Sequence, residues 1–301
     1  MELVRAQLAD ETWLPFLTGQ YGDAVVDSTY RHAVNVRLAS GDMLWVAATG
    51  ATRAPNALLT DAVGFDSVAA GQPVRVIGAA GMTVGALTVD LQYCRRFSCR
   101  VVASDPVDDR VAAGHGIAAE VLARCGIEGG MLHRAETPTD TLTQAMHARL
   151  LTGAGALQAA VAAGDAAGAV AASRALIGLG IGSTPSGDDY ILGCLAVLLL
   201  HCRTRRFGRQ LAVGLRPLCA DTTPVSRSYL LAACDGRFHV DVTKVIEAIF
   251  LGGQSTVRQS VERVIAMGAT SGTDTMVGIL DTLETLSPLR LTVSTTACGG
   301  G

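Results

Sequence analysis

The sequence has very little lysine, few aromatic residues and no excess of either charge. Lys244 is its single lysine, and Phe, Trp and Tyr together make up 4% of the 301 residues. A Walker-type phosphate loop ends in Gly-Lys-Ser or Gly-Lys-Thr, so this chain contains none. The 24 basic and 27 acidic residues give a formal net charge of -3, which argues against nucleic-acid binding and against a polybasic membrane anchor. Anions must therefore be recognised by arginine or by backbone N–H groups.

Metal-binding spacings, an export signal and a membrane span are also missing. The eight cysteines form no CxxC pair, and the six histidines show no HxxxH or HExxH spacing, so we assign no metal ligands to them. The first residues, MELVRAQLADETW, contain acids and no apolar stretch, which predicts a cytoplasmic protein with reduced thiols. The most apolar run, 190–200, is about half of the roughly 20 residues that a membrane span needs. We interpret it as a buried helix.

The first hundred residues have the alternating pattern of β-strands. Residues 33–38 and 43–47 flank the turn Ser40-Gly41-Asp42, which predicts a hairpin. A second hairpin is predicted from strands 73–77 and 83–91, joined by a turn at 78–81. Residues 58–63, between the two hairpins, are predicted to form a short helix.

From about residue 105 the apolar residues recur at helical spacing. The arginines at 203, 205, 206 and 209 follow an apolar helix and are interpreted as its solvated end. Strands followed by helices predict an α+β protein, with a β-rich domain at 1–103 and an α-helical domain at 104–301. The predicted helices span 106–125, 139–151, 157–176, 187–202, 226–234, 242–250, 255–267 and 273–286.

One segment, GLGIGSTPSGDD at 178–189, combines features typical of a ligand-binding loop. Gly178, Gly180 and Gly182 alternate, so the backbone can adopt positive φ or approach a ligand closely. Ser186 lies three residues before Asp189, the spacing of a capping box, and this predicts a helix that starts near 187. Free N–H groups and the helix dipole would make that start a site for an anion.

Part of this segment recurs near the end of the chain. Ser-Gly-x-Asp stands at both 186–189 and 271–274, and a glycine follows each aspartate by four residues. A capping box alone is more often structural, and the repeat could be a helix-packing unit. The glycines and the second acid favour function. We therefore infer two equivalent helix N-termini that converge on one site.

The candidate residues follow from this inference. Two adjacent carboxylates suit proton transfer or Mg²⁺ binding, so Asp188 and Asp189 are the candidate catalytic residues. No metal ligand is assigned, and Mg²⁺ is the one cofactor that the acids suggest. An arginine at the helix start 222–227 could clamp a phosphate or carboxylate. The candidate substrate-binding residues are Gly178, Gly180, Gly182, Ser183, Thr184, Ser186, Gly187, Arg227, Ser271, Gly272 and Asp274.

The string GLGIGSTPSGDDYILG closely resembles the signature of the AllH family. The glycine ladder, the Thr-Pro-Ser-Gly-Asp-Asp segment at 184–189 and Gly193 stand where that signature has them. The hairpin with Asn35, the helix start at 223–226 and the Ser-Gly-x-Asp at 271–274 are also similar. Ser183 departs from the leucine that is common at its position.

The resemblance implies a subunit of oxamate carbamoyltransferase that works with two partner proteins. In the catabolic direction, oxalurate and phosphate would give oxamate and carbamoyl phosphate. The implied ligands are thus small anions: carbamoyl phosphate, phosphate or an oxamate-like compound. Two alternatives remain open from the residues: a Mg²⁺-dependent hydrolase of a phosphorylated or nucleotide-like substrate, with Asp188, Asp189 and Asp274 at the metal, and a non-catalytic assembly subunit.

Overall fold

The computed structural model describes residues 2–20, 22, 24–78, 80–134 and 140–287. The predicted helix start at Thr139 lies outside these residues. The chain divides into two compact units, Met1–Arg100 and Val101–Gly301. The first contains strands and the second contains helices, so the predicted α+β class is confirmed.

The first unit is a nine-stranded sheet in the order β5-β4-β3-β2-β6-β7-β8-β1-β9. β1 also pairs with β5, so eight of the strands close into a ring and only β9 lies outside it. Neighbouring strands are antiparallel except for β1–β8, β1–β9 and β4–β5. The strands are β1 Glu2–Asp10, β2 Ala24–Tyr30, β3 Ala33–Leu38, β4 Met43–Ala47, β5 Ala57–Thr60, β6 Pro73–Ile77, β7 Gly81–Val84, β8 Leu87–Asp90 and β9 Arg95–Phe97.

Alternating side chains fill the interior of this ring. Met82 and Val84 of β7 and Leu87 and Val89 of β8 are fully buried, while the residues between them are partly exposed. This is the period of two that one buried sheet face requires. A short 3₁₀ turn, Glu11–Trp13, and a one-turn helix, α1 Leu14–Leu17, add aromatic rings to the same core.

The first predicted hairpin is confirmed as β3 and β4, but two other predictions in this unit are wrong. The segment 83–91 is not one strand, because a turn at Gly85, where φ is 57°, separates β7 from β8. The segment 58–63 is not helical, because it begins within β5 between two partner strands. Every residue of β5 is buried, so it shows no strand-like alternation.

The second unit consists of long helices that pack around a central helix, α5. Every residue of α5 except Leu192 is buried, which confirms that 190–200 belongs to a buried helix. None of the helices that the structure describes is long and apolar enough to cross a membrane. The helices are α2 Asp108–Cys125, α3 Thr141–Ala163, α4 Ala166–Leu176, α5 Ser186–Leu200, α6 Arg205–Leu215, α7 Pro224–Cys234, α8 Val240–Leu251, α9 Gln254–Ile265 and α10 Ser271–Thr285, with a 3₁₀ helix Arg216–Asp221 before α7.

Two predicted helix boundaries in this unit are wrong. α3 continues past 151 to Gly164, whose left-handed φ of 66° ends it, and the Asp165 side chain caps α4. Most of the arginines assigned to the end of the preceding helix belong to α6, a helix that the sequence analysis missed. Arg205, Arg206 and Arg209 line one side of it, beside a surface cavity of about 500 Å³.

Candidate functional site

The two Ser-Gly-x-Asp segments begin α5 and α10, which pack closely against each other. A Cβ on Gly193 would clash with the carbonyl oxygen of Thr275, and a Cβ on Gly278 would clash with that of Tyr190. Each glycine thus lets its own helix reach the backbone of the other. This contact brings the first turns of the two helices together.

Each helix start is also held in the same way by the helix before it. A Cβ on Gly187 would clash with the carbonyl oxygen of Leu176 in α4, and one on Gly272 with that of Val264 in α9. The N–H of Gly187 donates to Leu179 (2.9 Å) and that of Gly272 to Met267 (3.0 Å). Leu179 lies three residues after Leu176, as Met267 does after Val264. The α4–α5 and α9–α10 pairs are therefore two copies of one helix–loop–helix unit.

The serine of each copy hydrogen-bonds to the aspartate of the other copy. The Ser186 hydroxyl of α5 hydrogen-bonds to Asp274 of α10. The hydroxyls of Ser271 and Thr184 lie 2.6 Å apart, beside Asp189 of α5. Serine and aspartate thus pair across the two helices rather than within one.

The predicted capping box at 186–189 is not formed. Ser186 is the first residue of α5, the N-cap is Pro185, and no side chain caps the helix. Moreover, Gly187 donates its N–H to Leu179, and Asp188 donates its N–H to the carbonyl of Pro185 (2.9 Å). The proline sets the helix start, which frees the serine for Asp274 and leaves few N–H groups of α5 for a ligand.

Both carboxylate oxygens of Asp188 accept hydrogen bonds. Its carboxylate accepts from the N–H of Gly178 (2.9 Å), the hydroxyl of Ser226 (2.7 Å) and the hydroxyl of Thr222. Burial raises the pKa of Asp188, and these three donors lower it. Gly178 precedes α5, Ser226 lies in the first turn of α7, and Thr222 lies just before the N-cap of α7. Asp188 therefore ties three segments together.

Asp189 and Asp274 are buried and incompletely bonded. Asp189 is 7% exposed and Asp274 is 0% exposed, and the Oδ2 atom of each has no hydrogen-bond partner among the described residues. Asp274 Oδ1 accepts from the N–H of Met131 (2.6 Å). Burial raises the pKa of both, and the charge of Asp274 raises the pKa of Asp189 further. Such groups are typical of functional sites.

A third segment, which the sequence analysis missed, covers the Asp274 side of the site. A Cβ on Gly130 would clash with the Asp274 carboxylate, and His147 of α3 hydrogen-bonds to the Gly130 carbonyl (3.2 Å). The rings of His133 and His147 lie 5.1 Å apart. The Gly129-Gly130 pair just after α2 was the available signal, because adjacent glycines often allow close backbone approach.

The loop between α4 and α5, residues 177–185, is named here the glycine loop. Gly178, Gly180 and Gly182 all have positive φ (72°, 137° and 104°). Gly178 packs on the Asp221 carbonyl and Gly180 on the backbone nitrogen of Ser186, so neither could carry a side chain. Nothing lies within 4 Å of a Cβ on Gly182, which is exposed at the tip of the loop.

The tip of the glycine loop presents unused N–H groups to solvent. Among the described residues, no hydrogen bond uses the backbone N–H of any residue from 180 to 184. Residues 181–183 are exposed. The Thr223 hydroxyl of α7 donates to the Ser183 carbonyl, and Arg227, one turn further along α7, is exposed on the same helix face.

The candidate residues therefore fall into three groups, and Arg227 stands apart from them on α7. Gly178, Gly187 and Gly272 pack against backbone, and Asp188 is fully bonded. Ser186, Ser271, Asp189 and Asp274 meet at the two helix starts, and Gly180 to Thr184 form the adjoining loop. In the described part of the chain, no three His, Cys, Asp or Glu side chains are grouped to hold a metal ion.

Fold and site together define a class: an α+β protein whose helical unit contains a duplicated helix–loop–helix with paired helix starts. Residues 4–96 match the family model of the AllH family N-terminal domain, and residues 176–283 match that of oxamate carbamoyltransferase subunit AllH. The two matches cover most of the chain. The chain belongs to the AllH family, as the glycine-loop signature indicated. No solved structure matches it.

Proposed function

We propose that this chain is a subunit of a carbamoyltransferase-type enzyme and binds a small anionic substrate at the glycine loop. The substrate class is carbamoyl phosphate, phosphate or an oxamate-like compound. The family's name, a carbamoyltransferase subunit, supports the reaction class and the presence of partner subunits. The site supports the ligand class.

The observation that carries the ligand class is the run of N–H groups at residues 180–184 that bond to no other described residue. Positive φ at alternating glycines reorients the peptide groups of the loop, and concave runs of backbone N–H groups are a known way of binding phosphate and carboxylate oxygens. The dipole of α5, equivalent to about half a positive charge, adds to their attraction. Because the chain has a single lysine, backbone and arginine must supply the whole of the recognition.

Arg227 supplies the positively charged side chain that contacts the anion in this proposal. Thr223, one turn before Arg227, bonds to the Ser183 carbonyl of the loop, and the proposal places the guanidinium on an anion at the loop tip. A planar guanidinium can donate two parallel hydrogen bonds to a phosphate or carboxylate. Stabilising the charge that develops on the carbamoyl oxygen would be the main catalytic requirement.

A thermal-shift titration with carbamoyl phosphate, phosphate and oxamate tests the proposal. A ligand at 100 times its Kd stabilises a fold by about 2.7 kcal/mol, which corresponds to a rise in Tm of roughly 5–10 °C for a protein of this size. We expect carbamoyl phosphate to give this rise, and Arg227→Gln to weaken its binding at least tenfold.

Arg209→Gln on α6 is the matched control, because Arg209 is also an exposed helical arginine and lines a surface cavity to which no residue of the glycine loop contributes. It should leave the titration unchanged. Absence of a shift with all three anions, for the chain alone and with its partner subunits, would refute the ligand class. If Gly182→Ala altered subunit assembly but not anion binding, the assembly role would be favoured instead.

A further inference from the structure

Asp189 and Asp274 are the two groups that anion binding at the loop leaves unexplained. Each is the fourth residue of its helix, α5 or α10, and one carboxyl oxygen of each has no hydrogen-bond partner in the described part of the chain. Burying an unpaired polar atom destabilises a fold, and more so when the atom is charged. Two such atoms in one cluster point to a ligand group or a proton that the side chains themselves do not supply.

The surroundings favour one negative charge on this pair rather than two. The ionisable groups that face it are Asp188 from α5, Tyr229 from α7 and, through Gly130, His147 from α3. Among the described residues, no arginine or lysine forms an ion pair with either carboxyl. The starts of α5 and α10 each contribute about half a positive charge, which suffices for one carboxylate.

We infer that Asp189 and Asp274 form an acid–base pair, one protonated and one ionised at neutral pH, that serves the reacting nitrogen of the substrate. This inference rests on the proposed function for its substrate. Its geometry stands independently: equivalent positions on two paired helices, hydroxyl partners exchanged between them, and one free oxygen on each.

The pair lies next to the proposed anion site. Thr184 ends the run of unused N–H groups, and its hydroxyl contacts that of Ser271 beside Asp189. In this proposal, a phosphate held at residues 180–183 has its carbamoyl group directed past Thr184 toward the two carboxyls. N–H groups of an amide suit unpartnered carboxylate oxygens, because those oxygens are acceptors.

The chemical step balances with these groups. The nitrogen of an amide or amine attacks the carbamoyl carbon, a C–N bond forms, and the C–O bond to phosphate breaks. The ionised carboxylate takes the proton that the nitrogen loses, and the protonated partner donates its proton to the departing phosphate oxygen. The products are the carbamoylated nitrogen and hydrogen phosphate, and the pair again holds one proton.

Infrared spectroscopy of the full chain in D₂O at pH 7 tests the protonation state. We expect a C=O band of a protonated carboxylic acid that shifts when aspartate is labelled with heavy carbon at its carboxyl group. Either Asp189→Asn or Asp274→Asn should abolish the band, because the one remaining carboxyl then carries the single negative charge that the two helix starts stabilise. Asp66→Asn, at an exposed position in the first unit, should leave it unchanged.

Absence of this band from the wild-type spectrum would overturn the inference without requiring any variant to fold. A band that survives in both asparagine variants would overturn it equally. Carbamoyl transfer then tests the role: both variants should retain carbamoyl phosphate binding and lose about 100-fold or more in kcat, with one limb of the pH profile gone. If no carbamoyl transfer is found, the proposed function fails while the spectrum still decides the protonation state.

Discussion

Asp188 and Asp189 are neighbours in the sequence, yet their surroundings differ. Asp188 meets three donors and holds the glycine loop to α7, whereas one oxygen of Asp189 has no partner among the residues that the structure describes. Side chains at adjacent helical positions point about 100° apart, so neighbouring acids enter different environments. Of the two candidate catalytic residues, we therefore propose Asp189 for proton transfer and Asp188 for positioning.

The glycine at 193 gives a sharp test of the helix contact. Gly193→Ala would place a Cβ against the Thr275 carbonyl, so α5 and α10 must separate. We expect a loss of about 1–3 kcal/mol in the free energy of unfolding, the usual cost of overpacking, measured by urea denaturation.

Gly155→Ala is the matched control, since Gly155 is an exposed helical glycine in α3 with nothing within 4 Å of a Cβ. Alanine should stabilise that position by about 0.5–1 kcal/mol. Equal effects of the two substitutions would contradict the close contact.

At the scale of elements, the helix starts of α5 and α10 are coupled through exchanged side chains. Ser186 lies three residues before Asp189 on one helix, but it bonds to Asp274 on the other. The sequence predicted two equivalent helix starts, because the repeat of Ser-Gly-x-Asp is visible in it. It could not predict the exchange, because capping-box spacing is satisfied equally well within one helix.

Double-mutant cycles distinguish the two pairings. Ser186→Ala combined with Asp274→Asn should show a coupling energy of about 0.5–3 kcal/mol, the range found for residues in contact. Ser186→Ala combined with Asp189→Asn should be closer to additive. Urea denaturation of the four proteins in each cycle measures both coupling energies. A larger coupling energy between Ser186 and Asp189 than between Ser186 and Asp274 would support the capping box instead.

Other elements show where sequence patterns were insufficient. The hairpin of β3 and β4 was predictable because polar and apolar residues alternate around a Ser-Gly-Asp turn. β5 was not, because burial on both faces removes the alternation. The segment at Gly130 was missed because its role depends on Asp274, which lies more than 140 residues away.

For the whole molecule, the two units have separate hydrophobic cores. The first is centred on the ring of strands with Trp13 and Phe16, and the second is centred on α5. A unit with its own core and a closed sheet meets the requirements for folding alone.

We therefore expect a fragment of residues 1–100 to fold without the helical unit. Circular dichroism should show a β-rich spectrum with a single cooperative thermal transition. A fragment of 33–100, which lacks β1 and β2, is the control and should remain unfolded, because β1 closes the ring with β5 and β8. An unfolded spectrum for the longer fragment would contradict the expectation.

The exchange between the two helix–loop–helix copies has the logic of an isologous interface, in which residue i contacts j and j contacts i across a twofold axis. Such interfaces normally join identical subunits of a dimer. Here both partners are on one polypeptide, so the third residue of Ser-Gly-x-Asp differs between the copies: it is aspartate at 188, bonded to Ser226 of α7, and threonine at 273, which accepts from the N–H of Ile127. Covalent linkage thus turns a symmetric pairing into a directional site, with a long glycine-rich loop on one side and a short connection on the other.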